Sequence, residues 1–265
     1  MSEVASGSTR AHRPHSVDST PRREGGRSVT TRKWFAGVRF GAAVLCIVAL
    51  VHRQLWGLSS QTIAGQNFFA YLTIQSNIAF AVIALVGGMV ALRRDEDPRW
   101  FTDARTVVLS WTITAGLVFA LLVWQSGVRG VPMTVPWSDH VLHFLLPAIA
   151  IIAWNIGPGR RAARWRLVYV VLLYPVIWGV FTLWRGSHIG WYPYYFLDLR
   201  QVSGIPEFLA TCTIALTVFA AVACGLIALS RWRETVPDSH TRSRDMRSRR
   251  TSRYRRITTH SKEML

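Results

Sequence analysis

Polar and apolar positions along this chain are gathered into blocks rather than interleaved. After a start rich in Ser, Thr, Arg, Gly and Pro, six apolar runs occupy about residues 35–57, 68–92, 105–126, 138–157, 165–184 and 207–230. An α-helix rises ~1.5 Å per residue, so about 20 residues cross a hydrocarbon layer roughly 30 Å thick. Each run is about that long. Backbone N–H and C=O groups find no water in lipid, and a helix satisfies them within a single segment. The pattern therefore predicts an all-α polytopic membrane protein with six transmembrane helices. The fourth run is the shortest and carries Pro147, which predicts a kink or tilt there.

Charge sharpens this picture. Half of the 265 residues are hydrophobic, yet the formal net charge is +17. Residues 1–34 and 231–265 hold 18 of the 31 Lys and Arg residues. These flanks have too few large apolar side chains to fold, so they are expected to be disordered basic tails around a membrane domain spanning 35–230. Their basic residues lack interleaved aromatics and any nucleic-acid-binding module, so nucleic acid is not expected as a partner. Attraction to anionic lipid head groups is the simpler account.

The connection 93–105 carries Arg93, Arg94, Arg99 and Arg105, and 158–166 carries Arg160, Arg161, Arg164 and Arg166. The alternate connections hold only Arg53, Arg129, Arg185 and Arg200. The positive-inside rule then puts both termini in the cytoplasm, in agreement with an even number of spans, and the plasma membrane is the expected location. The polar, basic start predicts no secretory signal peptide. Cys46, Cys212 and Cys224 lie in apolar runs without disulfide or metal-ligand spacing, and are expected to be small buried hydrophobes.

Polar side chains inside a span are costly unless paired, and they normally face the bundle interior. Two stretches stand out: Phe68–Asn77, with Thr73, Ser76 and Asn77, and Asp139–Pro147, with His140 and His143. With the N-terminus inside, the second and fourth spans both begin at the outer surface. Thr73 and His143 each lie about five residues in, roughly 7–9 Å below that surface. His140 and His143, three apart, share a helix face, as do Thr73, Ser76 and Asn77. Asp198 and Glu207 start near the same level.

A threonine hydroxyl needs an adjacent base to become a nucleophile, and a neutral histidine serves near pH 7. Ser76, Asn77 or backbone N–H groups are candidates to stabilise an oxyanion. Against this, Ser and Thr in membrane helices often bond their own backbone or bridge helices. His52 and Arg39 are expected to snorkel toward an interface. The aromatic stretch 191–196 fits an interfacial belt, while Asp198 beside it is expected to orient or charge-balance a histidine. No cofactor and no metal is required. A haem or metal site using His52, His140, His143 or His188 is a weaker alternative, since no redox motif accompanies it.

Three short patterns resemble the androgen-induced-gene and androgen-dependent TFPI-regulating protein family and its bacterial six-helix relatives. They are Tyr71-Leu72-Thr73, then His140-Val141-Leu142-His143-Phe144-Leu145-Leu146-Pro147, and Tyr192-Pro193 with Phe196-Leu197-Asp198. In the last, Tyr194 and Tyr195 are inserted relative to the family spacing. Around the threonine, Ile74-Gln75-Ser76-Asn77 stands where the family has an acidic residue. The resemblance covers roughly 35–230 and implies a hydrolase of fatty acid esters of hydroxy fatty acids. It gives Thr73 the nucleophile role and His143 the base role, with a hydrophobic ester or acyl substrate drawn from membrane lipid. The residues alone also suit a non-catalytic lipid or small-molecule binding or transport protein.

Overall fold

The structure, a computed structural model, describes residues 22–59, 63–128, 130, 134–157 and 161–235. Among them the regular elements are helices, with no strand. Six are long and apolar enough to cross a membrane, as the hydropathy pattern predicts. They are α1 (Arg22–Ser59), α2 (Leu72–Arg93), α3 (Arg99–Val128), α4 (Trp137–Ile156), α5 (Leu167–Ile189) and α6 (Ile205–Thr235). One-turn helices at Ile63–Gln66 and Phe68–Ala70 lead into α2, and another at Tyr195–Leu197 lies before α6. The expected tails fall mostly outside the described residues, at 1–21 and 236–265.

α1 begins at Arg22, ahead of the predicted start at 35. Within this added stretch Arg32 is buried and donates to Asp97 Oδ1 at 3.0 Å. Arg39, expected to snorkel, is buried as well, bonded to Asp97 Oδ2 at 3.1 Å and to the Gly87 carbonyl at 2.7 Å. The reason is the Asp97 carboxylate, which reaches both guanidinium groups from the α2–α3 connection. A buried ion is tolerated when paired and hydrogen-bonded.

α3 runs through the middle, touching α2, α4, α5 and α6, while α1 packs along α2 and α4. One core cluster joins α1, α2, α3 and α4 around Cys46, Phe80, Leu142 and Leu146. A second joins α3, α5 and α6 around Val107, Val171, Ala223 and Ile227, and Trp111 packs against both. Cys46, Cys212 and Cys224 are all free thiols.

Two prolines shape the helices that face α3. Pro175 inside α5 has no N–H to offer the Val171 carbonyl four residues earlier. The Trp111 indole supplies that donor instead, at 3.0 Å. In α4 the proline effect is larger. Residues Val141–Leu145 form a π-helical turn that ends two residues before Pro147, which widens the helix where the proline ring would meet the His143 carbonyl. That carbonyl turns toward Gly116 of α3, where a Cβ would stand 2.3 Å from its oxygen.

Candidate functional site

A cavity of about 410 Å³ lies between α2, α3, α5 and α6, and the Tyr194–Leu197 turn closes its end. Its wall is mostly apolar, with Thr73 and Ser76 from α2 and Thr114 from α3 as polar points. Thr73 reaches the wall because Tyr71 is extended (φ −73°, ψ 126°) and α2 starts at Leu72. In this first turn the backbone N–H groups have no partner within the helix. Tyr194 occupies that place: the side chain and backbone of Thr73 both hydrogen-bond its hydroxyl oxygen. Burial pushes the Tyr194 phenol up to about 12, against the downward pull of those two bonds. At neutral pH it is an uncharged phenol. Burial likewise raises the Tyr71 phenol beside it.

The neighbours of Thr73 serve its helix. Ser76 Oγ and Asn77 Nδ2 both donate to the Thr73 carbonyl at 2.8 Å. The shared face predicted for the three residues is real, but these two side chains are spent on backbone. Asn77 Oδ1 and Thr114 Oγ1 are fully buried without a hydrogen-bond partner among the described residues, and Thr114 belongs to the cavity wall.

His143 stands at the same end of the bundle, on α4. Its Nδ1 lies 2.9 Å from the Asp139 carbonyl oxygen, which can only accept. The proton is therefore on Nδ1, and Nε2 carries the lone pair with no hydrogen bond among the described residues. The ring stacks on Phe119 at 4.0 Å between centroids and 14° between planes. Thr73 and His143 are expected at a common level, and no hydrogen bond joins them among the described residues.

His140 is exposed and turned outward, unlike buried His143. The predicted shared face fails because the π turn begins at Val141, and its wider winding opens the angle between residues three apart. Asp198 faces Arg200 and Gln201 rather than a histidine: Oδ1 accepts from Arg200 Nε at 2.9 Å, and Oδ2 from Gln201 Nε2 at 2.9 Å. Glu207 accepts from the Ser203 N–H at 2.7 Å. His188 is exposed and bonded to the Trp184 carbonyl on its own helix. Among the described residues no three His, Cys, Asp or Glu side chains converge on a possible metal position.

Several participants were not singled out by sequence. His52, expected to snorkel, bridges α1 to α4: its Nδ1 is 3.0 Å from Ser138 Oγ, and Trp137 Nε1 donates to its Nε2 at 2.9 Å. An indole N–H only donates, so the His52 proton sits on Nδ1, facing the serine. Arg53 Nε donates to Asp139 Oδ1 at 2.9 Å, a second α1–α4 tie. The aromatic stretch 191–196 is mostly half-buried against the bundle. Tyr194 packs edgewise on Tyr71 and Trp178, and Tyr192 lies so close to Gly186 that a Cβ there would stand 2.1 Å from the ring. The available signal for Tyr194 was its position as an insertion beside a motif.

Six apolar spans, four of which line a mostly apolar cavity, define a polytopic helical membrane protein. No family model, no curated protein and no solved structure matches the chain.

Proposed function

We propose that this membrane protein admits an acyl-bearing amphiphile from the bilayer into the cavity, with the polar end of the ligand at Thr73 and Tyr194. The single observation behind this reading is the cavity itself, about 410 Å³, mostly apolar, with Thr73 at one end. Such a space suits an alkyl chain, and a few convergent polar groups orient the head of a ligand.

A second reading is ester hydrolysis by Thr73, which requires His143, packed on Phe119 and Gly116 outside the cavity lining, to come within reach of the Thr73 hydroxyl. His143 Nδ1 is pinned by the Asp139 carbonyl, so Nε2 is left as an oriented base. In that reaction Thr73 Oγ attacks the ester carbonyl, its proton passes to His143, and the departing alkoxide takes the proton as alcohol. Water then releases the acid from Thr73. The Thr73 hydroxyl must first leave Tyr194, so substrate entry would have to displace the Tyr194 ring. Resemblance to the ester-hydrolase family on Thr73 and His143 supports the same assignment.

A photoreactive fatty acid ester in membranes separates the two readings. Labelling should fall on α2, α3, α5 and α6 peptides and be lost in Val118→Trp, which fills the wall. Unchanged labelling in that variant would refute the cavity reading. Thr73→Ala and His143→Gln should abolish ester turnover while keeping the label; turnover surviving in either leaves binding without catalysis.

A further inference from the structure

A second recess opens at the same end of the bundle, on the other side of Trp178, whose ring borders both spaces. It has a volume of about 280 Å³ and lies between the Gln66–Ala70 segment, Gln75 and the last turns of α5. Most of its polar groups are spent. Gln75 Nε2 donates to the Phe69 carbonyl at 2.7 Å, its Oε1 accepts from the Tyr174 hydroxyl, and Trp178 Nε1 donates to the Ala70 carbonyl at 3.0 Å.

Two groups are not spent. Thr182 is buried, at 6% exposure, and its hydroxyl makes no hydrogen bond among the described residues. Arg185, one turn before the end of α5, gives one N–H to Asn67 Oδ1 and lies over the Trp191 ring at 5.9 Å. A guanidinium has five N–H donors in a planar fork, so most of its donors remain. Among the described residues no carboxylate pairs with it, and none of the nine residues lining the recess is acidic. A half-buried cation without a counter-ion is electrostatically incomplete, and a phosphate matches the fork bidentately.

We infer that this recess is a phosphate site, with Arg185 as the anchor and Thr182 and Gln66 as further donors. The phosphate is either that of a lipid head group or a free ion. The inference rests on Arg185 and its surroundings and stands apart from the acyl-cavity reading.

The test uses the full-length protein in neutral detergent micelles at one fixed salt concentration. It is titrated separately with dihexanoyl phosphatidic acid, dihexanoyl phosphatidylcholine and inorganic phosphate, and the melting temperature is followed. Wild type should show a saturable rise with phosphatidic acid that exceeds any rise with phosphatidylcholine. An equal rise with inorganic phosphate identifies the free ion as sufficient; a rise with phosphatidic acid alone identifies a lipid head.

Arg185→Gln should weaken the response by about ten-fold or more. Gln66→Glu, at an exposed position, offers the recess an internal carboxylate and should weaken it without disturbing the Arg185–Asn67 bond. The basic tails are the same in every variant, so their binding does not distinguish them. The inference stands if either folded variant loses the response to that extent. It falls if wild type responds to neither phosphate probe, or if every variant that folds titrates as wild type does.

Discussion

Asp198 illustrates how a local partner captures a charged side chain. Its carboxylate accepts from the Arg200 N–H, Nε and Nη2 and from Gln201 Nε2, at 2.9 to 3.1 Å. The bonds from Arg200 hold the Asp198 carboxyl well below the usual carboxylate range, outweighing its burial, and Arg200 is held up in return. A lowered value in the folded state contributes stability that is complete above the unfolded carboxylate range, about 4. That contribution drains as pH falls through this range toward the lower folded value. Amide protection of the 198–201 turn should therefore stay constant from pH 8 to pH 5 and decline below about 4. In Asp198→Asn the acid-dependent decline should vanish; a wild-type turn that already loosens between pH 8 and 5 would contradict the assignment. Sequence placed Asp198 among aromatic rings and suggested a histidine partner. Partners two and three residues away won because closing so short a loop costs little entropy.

Among the elements, α4 and α5 each meet a proline, and each meets it differently. α5 keeps its helix and borrows a donor from Trp111, whereas α4 widens into a π turn and presses the His143 carbonyl against Gly116. Overpacking a tight contact costs about 1–3 kcal/mol. Gly116→Ala should therefore lower thermal stability in micelles by an amount in that range. Gly127→Ala, on the same helix with open space around it, should be neutral or stabilising by up to about 1 kcal/mol. Equal melting temperatures for the two variants would mean that α3 and α4 do not approach this closely. Pro147 made a distortion legible in the sequence. The π turn was not legible, because its form depends on the glycine opposite.

At the scale of the molecule, charge is sorted between the two ends of the bundle. The end where α1 begins and α6 finishes gathers Arg32, Arg39 and Arg105 around Asp97, with Arg164 on Asp103 and Arg161 on Glu96. The opposite end carries the Arg53–Asp139 pair and Arg185. By the positive-inside rule the first end should face the cytoplasm. Reporter fusions that are active only in the cytoplasm should work after residue 95 and at the C-terminus, and fail after residue 130 or 200. The reverse pattern would overturn the orientation and place both recesses at the inner leaflet.

The amino-acid sequence alone determined the number of spans and their approximate limits. These follow from helix rise, bilayer thickness and the segregation of apolar residues, all properties of one segment at a time. Tertiary structure decided what each polar group meets: Tyr194 on Thr73, Ser138 and Trp137 on His52, Asp97 on Arg39, and His140 turned away from His143. Those pairings depend on helix rotation and on which helices are neighbours. A hydropathy pattern carries depth along a helix axis, but it leaves the angle around that axis to packing.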